Sequence, residues 1–314
     1  MPSTDIIGLD IGGTKCAVSR FDRATGAVEE TRRFATGTLG ETLEAFYEAI
    51  GELRPREPLF GVSCGGPLDA RAGLILSPPN LPGWDRVPIT RLLTERFGGR
   101  AVLMNDANAS ALAEWRFGAG RGCRHMIFLT AGTGMGAGLI LNGRLYEGAS
   151  GDAGEAGHMR LAPDGPEGYG KAGSFEGFCS GGGIARLAAR TLAERGLARP
   201  SWFAADGTTT AKAVAEAARA GDAFARGVMD VAGRRLGEAL STLIDLFNPE
   251  RVVIGGIFPR CGDLLLPEME RALRAETLVP SLAACEIVAA QLGETIGSHA
   301  AVAAALNAEA INNW

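Results

Sequence analysis

The sequence predicts an α/β protein of two domains, each opened by a hairpin with a glycine turn. Three observations carry this. Two glycine-rich turns, Asp10-Ile11-Gly12-Gly13-Thr14-Lys15 and Thr130-Ala131-Gly132-Thr133-Gly134-Met135-Gly136, each lie between two apolar, strand-like runs. Strand and helix periodicities alternate after each turn. The length, 314 residues, exceeds what one hydrophobic core usually serves.

The first turn follows IIGLD and precedes CAVSRF; the second follows MIFL and precedes GLIL. Glycines at such a turn let backbone N–H groups converge on an anion, because no side chain blocks the approach. Two such cradles in one chain point to a polyphosphate held from two sides. GxxxxGK[ST] is absent, and a dinucleotide fingerprint would open a helix, whereas a strand follows here. A plain tight hairpin is the alternative for either turn taken alone.

After the first hairpin, Leu39, Leu43, Phe46, Tyr47, Ile50 and Leu53 share one face and predict a helix over 39–53. A strand over 59–63 leads into Cys64-Gly65-Gly66-Pro67. A proline-rich loop, 77–84, precedes a helix near 89–97. A strand over 101–104 then enters Asn105-Asp106-Ala107-Asn108 and an alanine-rich helix. The second hairpin opens the second α/β unit, where Asn142-Gly143 has the composition of a two-residue turn. Residues 148–183 show little periodicity, as functional or mobile loops do. Helical patterns run to Phe247, a strand over 251–254 meets Gly255-Gly256, and a last helix over 296–308 is expected to pack on the first domain. No short repeat period is present.

Composition is that of an ordinary enzyme: 46% hydrophobic and 21% charged, with a net charge of −5 that disfavours nucleic acid and anionic membranes as partners. The six cysteines form no CxxC pair and read as small core residues of a protein in a reducing, cytoplasmic compartment. Residues 1–5 have no basic or apolar signal region, and no run reaches the length of a membrane span.

The ordered motifs DIGGTK, GGPLD, PNLPGW, NDAN, TAGTGMGAG, GEAGH and VVIGG resemble those of the ROK family (repressor, open reading frame, kinase) nearly end to end. The resemblance implies a two-domain, actin-like ATPase fold (ribonuclease H-like) with an interdomain cleft. It implies a small domain of 1–118 plus 296–314 and a large domain of 119–295. It also implies an ATP-dependent hexose kinase, glucokinase-like, that phosphorylates a primary hydroxyl such as the 6-OH. Further expectations from it are Mg²⁺ as cofactor and a homodimer.

By the same resemblance Asp106 is the general base. Its other reading is a helix N-cap. A helix N-terminus favours its ionised form. Gly12, Gly13, Thr14, Gly132, Thr133 and Gly134 are expected at the phosphates, Asp10 at water-bound magnesium, and Gly255 and Gly256 under the adenine ring. Lys15 has two readings, phosphate neutralisation and plain solvation. The sugar is expected to meet Gly66, Asn80, Asn105, Asp106, Glu155, His158 and Glu176. Glu155 and His158, three apart, share a face on a helical turn. His125 and His299 lie in apolar contexts without evident partners and read as structural.

Many relatives follow the GH motif with CxCGxxGCxE, whose cysteines bind structural zinc with that histidine. Here the three positions hold Glu167, Tyr169 and Ser174, which cannot rebuild a thiolate site, and Cys179 is out of register. No structural zinc is expected, and His158 is expected to stay at the sugar, oriented by a new hydrogen bond. A mixed Glu/His metal site is the alternative. A rival function is a non-catalytic sugar sensor. Repressors of the family carry a helix-turn-helix before this first strand, and only five residues precede Ile6, so no DNA-binding module is expected. Which hexose is used, and whether polyphosphate replaces ATP, stay open.

Overall fold

The computed structural model describes residues 4–312. Its contacts divide the chain into two compact units. One runs to Arg121 and resumes at Gln291; the other spans Gly122–Ala290.

The first unit is built on β1 (Ile6–Ile11), β2 (Lys15–Asp22), β3 (Ala27–Ala35), β4 (Leu59–Cys64) and β7 (Arg100–Asn105). They form one sheet in the order β3-β2-β1-β4-β7. β1 and β2 are the antiparallel arms of the first glycine turn, while β1, β4 and β7 run parallel. Apart from Asp10, β1 is buried throughout, as a parallel strand covered on both faces must be. Ile11, Cys64 and Asn105 stand in one row, so three parallel strands end together. In open α/β sheets this C-terminal edge is where ligands bind.

Helix α1 (Leu39–Leu53) starts at a capping box in which Thr38 accepts from the Glu41 amide and the Glu41 side chain accepts from that of Thr38. With α2 (Ile89–Phe97) it covers one sheet face, burying Phe46, Ile50 and Leu93. A two-stranded hairpin, β5 (Leu68–Asp69) with β6 (Leu74–Ile75), lies between them in sequence. Helices α3 (Asp106–Phe117) and α10 (Ile296–Asn312) belong to the same unit, and α10 buries Val302 and Ala305 against Ile6 and Leu59. It extends four residues beyond its sequence-expected end. The alanines of α10 let it approach the sheet so closely that a Cβ on Gly8 would meet the Val302 nitrogen at 2.8 Å.

The second unit repeats the plan with β8 (Met126–Ala131), β9 (Met135–Leu141), β10 (Arg144–Tyr146), β13 (Arg251–Ile254) and β14 (Glu286–Ala289), ordered β10-β9-β8-β13-β14. Again an antiparallel glycine-turn hairpin is followed by parallel strands. Asn142 and Gly143 both have positive φ, 54° and 70°, as a type I′ turn requires. One core takes in Ile127, Leu129 and Val252 from the sheet. It also takes in residues of α5 (Gly181–Glu194), α6 (Ala211–Arg219), α7 (Ala223–Phe247) and α8 (Phe258–Glu276). The short α9 (Val279–Ala283) follows α8.

The glycine-rich stretch 148–183 is more structured than its sequence suggests. It holds a 3₁₀ turn (Ala156–His158), a hairpin of β11 (Glu167–Gly168) with β12 (Lys171–Ala172), α4 (Phe175–Cys179) and the start of α5. Elements of two to five residues are too short to display a period, which is why the sequence reads as a loop. Among the described residues no helix is long and apolar enough to cross a membrane.

Candidate active site

In the first unit, the glycine turn closes with the Gly12 amide donating to the Lys15 carbonyl at 3.1 Å. Gly13, Thr14 and Lys15 are exposed. Asn80 is brought onto this turn: a Cβ on Gly13 would lie 2.6 Å from the Asn80 Cβ and 2.7 Å from its carbonyl oxygen. Lys15 pairs with Glu294 at 3.7 Å, and both side chains are more than half exposed (56% and 67%). Such a pair contributes little to stability and leaves the ammonium available to an anion.

Asp106 begins α3 at the C-terminal end of β7. It is not the N-cap. Asn105 holds that position, and its Oδ1 accepts the amides of Ala107 (2.9 Å) and Asn108 (3.4 Å). The structural explanation for a polar residue here is therefore used up by the neighbour. The turn after β4 lies beside the pair. A Cβ on Gly65 would stand 3.6 Å from Asp106 Oδ2, and one on Gly66 would stand 3.7 Å from Asn105 Nδ2. The Gly66–Pro67 peptide is cis.

Desolvation by the surrounding protein pushes the Asp106 carboxyl above the usual carboxylate range, while the amides of Ala107 and of Asp106 itself pull it down. By accessible surface the residue is nevertheless exposed, so solvent and a ligand can reach it. Cys64, next to it, has its thiol pushed up by burial first and then by the charges of Asp106, Cys16 and Asp10. Both carboxylates thus act on the same end of the sheet. Asp10 also lies against Gly297 in the first turn of α10, at a separation that leaves no room for a side chain at 297. One or two hard oxygen donors with space for water and phosphate suit Mg²⁺. Among the described residues no cluster of three or more His, Cys, Asp or Glu is placed to hold a metal ion by itself.

In the second unit, the carbonyls of the glycine turn are pinned by the start of α5. Gly181 donates to Gly132 O at 2.7 Å, and Gly182 donates to Thr133 O at 3.2 Å. Ser180 caps α5 by accepting from Gly183 at 2.9 Å. These first amides of α5 are therefore spent on the turn and the cap, and they are not a second anion site. In the sequence Gly181, Gly182 and Gly183 fall within the stretch 148–183, with no sign of this clamping role. Gly256 sits at the other side of the turn with φ +68°, and Ile257 donates to Ala131 O at 2.8 Å. The Gly255-Gly256 bend and the second glycine turn are thus one backbone assembly.

Glu176, in the first turn of α4, also reaches this assembly: its Oε2 accepts the Met135 amide at 2.9 Å. Glu155 precedes the 3₁₀ turn and His158 ends it, both exposed, and residues three apart eclipse on such a turn. The His158 ring meets the edge of Tyr169 at 6.2 Å between centroids, in place of the hydrogen bond expected for it. Its carbonyl accepts from Lys171 Nζ at 2.6 Å. Of the other positions aligned with the relatives' cysteines, Ser174 is fully buried as the N-cap of α4, accepting from Gly177 at 3.1 Å, and Glu167 is exposed. Ser174 is thus engaged in holding the loop. The other two histidines do have partners. His299 Nδ1 bonds Thr295 O at 2.9 Å, and the Asn142 amide donates to His125 Nδ1 at 3.5 Å.

A profile of the ROK family matches residues 6–308. The chain belongs to the ROK family. A glucokinase of Halalkalibacterium halodurans is 34% identical over 306 residues, spanning 93% of this chain and 92% of its own. A glucokinase of Thermotoga maritima is 33% identical over 304 residues, spanning 95% and 96%. Among solved structures, a ROK family glucokinase from Streptomyces griseus in complex with glucose and AMPPNP matches with a TM-score of 0.74 at 32% identity, over 96% of this chain and 98% of its own. A ROK hexokinase from Thermus thermophilus matches with a TM-score of 0.80 at 30% identity, over 98% and 100%. The fold is the actin-like ATPase fold of ROK sugar kinases, and the protein is an ATP-dependent sugar kinase.

Proposed function

We propose that this ROK kinase transfers the γ-phosphoryl group of ATP to the primary hydroxyl on C6 of a hexose, glucose foremost, with Asp106 as general base. The observation that carries the reading is the division of labour at the head of α3. Asn105 caps the helix, which leaves the Asp106 carboxylate outside the cap and exposed beside the Gly65-Gly66 turn. The preference for glucose rests on the glucokinase relatives.

In the proposed step Asp106 takes the proton of the sugar hydroxyl as that oxygen bonds to the γ-phosphorus and the bond to the ADP oxygen breaks. Gly66, Asn80, Asn105, Glu155, His158 and Glu176 would hold the other hydroxyls, each of which loses water on binding and needs a partner. Gly12, Gly13, Thr14, Lys15, Gly132, Thr133 and Gly134 would bind phosphate, and Gly255 and Gly256 would let adenine lie on the backbone. Asp10 would hold Mg²⁺ through water; bound magnesium neutralises phosphate charge.

The same reading takes the protein as a cytoplasmic homodimer without structural zinc and without nucleic-acid or membrane partners. Its proposed domains are 1–118 with 296–314, and 119–295. Support for the missing zinc is the work already done by Ser174 and Tyr169. The test is ADP release with glucose, fructose, mannose, allose and N-acetylated hexosamines. The reading expects sugar-dependent release, the highest kcat/KM for glucose and a 6-phosphate product by NMR. ADP release that ignores the sugar would overturn it.

A further inference from the structure

We infer that Glu176 is a positioning residue for the second phosphate turn, so that nucleotide affinity depends on it even when no sugar is bound. The inference rests on the reading above, in which that turn holds phosphate, and adds a second task to a residue assigned there only to sugar.

The geometry is specific to one carboxylate oxygen. Oε2 accepts the Met135 amide at 2.9 Å, and it would stand 2.8 Å from a Cβ on Gly134, whereas Oε1 would be 3.9 Å away. Oε2 is therefore committed to the turn, and Oε1 lies farther from it. Met135 is the residue at which the turn becomes β9. Fixing its N–H sets the direction in which the preceding amides of Thr133 and Gly134 point.

Glu176 is itself held. Ser174, fully buried, caps α4, and the Phe175 amide donates to Met159 O at 2.8 Å. Gly157 of the Glu155–His158 turn packs its backbone on the Met135 carbonyl. The segments carrying Glu155, His158 and Glu176 thus converge on the one residue that ends the phosphate turn. A carboxylate this close to a phosphate site would repel the ligand if it were left unpaired. Accepting a backbone amide offsets that charge and explains why the Met135 N–H is spent on Glu176 and not on phosphate.

The experiment is calorimetric binding of ADP to the full chain in the absence of sugar, for the wild type, Glu176→Ala and Glu176→Gln, alongside glucose KM and kcat. Glu176→Ala loses one charge-assisted hydrogen bond on the turn and is expected to weaken ADP about tenfold. Glu176→Gln keeps an oxygen for the Met135 amide and is expected to bind ADP within about twofold of wild type, while its glucose KM rises. Unaltered ADP affinity in a folded Glu176→Ala variant overturns the proposal and leaves Glu176 a sugar ligand only. If Glu176→Ala does not fold, the Gln variant decides: ADP binding weakened as much as glucose binding overturns the proposal. A wild type that binds no ADP would instead overturn the phosphate-turn reading, and this inference with it.

Discussion

The Glu114 Oε1 atom accepts the backbone amide of Leu292 at 2.9 Å, although the two residues lie 178 positions apart. Its Oε2 accepts the amides of Ala119 at 2.8 Å and Gln291 at 3.2 Å, and the residue is 0% exposed. One buried side chain thus satisfies three amides from two distant segments.

Removing it takes the acceptor from all three amides, of which that of Ala119 is buried and those of Gln291 and Leu292 lie nearer the surface. Glu114→Ala is expected to cost about 3 kcal/mol, and Glu114→Gln less, because one amide oxygen still accepts. Urea unfolding midpoints check this. An unchanged midpoint for the alanine variant would mean that water replaces the carboxylate at no cost.

The Asp106 carboxyl lies above its ordinary range because of desolvation. A raised acid pKa means that the folded state disfavours the charged form. The resulting destabilisation is present above the folded pKa and fades as pH falls through it towards the unfolded value. Asp106→Asn is therefore expected to melt higher than wild type at pH 8, with the gain shrinking at pH 4.5. In the wild-type enzyme the acidic limb of kcat/KM should fall at a pH above that of an ordinary aspartate. A variant that melts with the wild type at both pH values would contradict the desolvation of Asp106.

All six cysteine thiols are pushed up by burial, Cys261 and Cys285 to about 11. The reactive thiolate is therefore scarce at neutral pH. Iodoacetamide at pH 7.5 is expected to leave kinase activity intact over the time in which it blocks free cysteine. Rapid loss of activity would show a thiol that the fold does not protect.

The loop after His158 is held by a helix cap and by hydrogen bonds from Lys171 and Arg160. A zinc-selective chelator should leave the melting temperature unchanged. Ser174→Ala should remove the cap and cost about 1 kcal/mol, about 2 °C in Tm for a chain of this size. A drop on chelation would show that metal holds this loop after all.

Long periodic elements were legible in the sequence. Helix α1 is found over the expected Leu39–Leu53, because its apolar face repeats at the helical period. Strand β13 is found at Arg251–Ile254, an apolar run ended by two glycines. The glycine-turn hairpins were legible because Gly12, Gly13, Gly132 and Gly134 mark both turns. What was not legible depends on tertiary contact. The capping task of Asn105 cannot be told from that of Asp106 when both are good caps in adjacent positions. Gly61 reads as a plain strand residue until α10 is seen to lie against it, where a Cβ would meet the Ala305 nitrogen at 2.7 Å. The hold of Glu176 on Met135 spans 41 positions and leaves no local signal.

Steady-state turnover of Asp106→Asn with ATP and glucose tests most directly whether Asp106 removes the proton of the attacking hydroxyl. An amide of the same shape cannot accept that proton, so kcat is expected to fall about 10²–10⁴-fold while ADP still binds and the protein still folds. Turnover near that of the wild type would contradict the assignment and return Asp106 to a structural place at the start of α3.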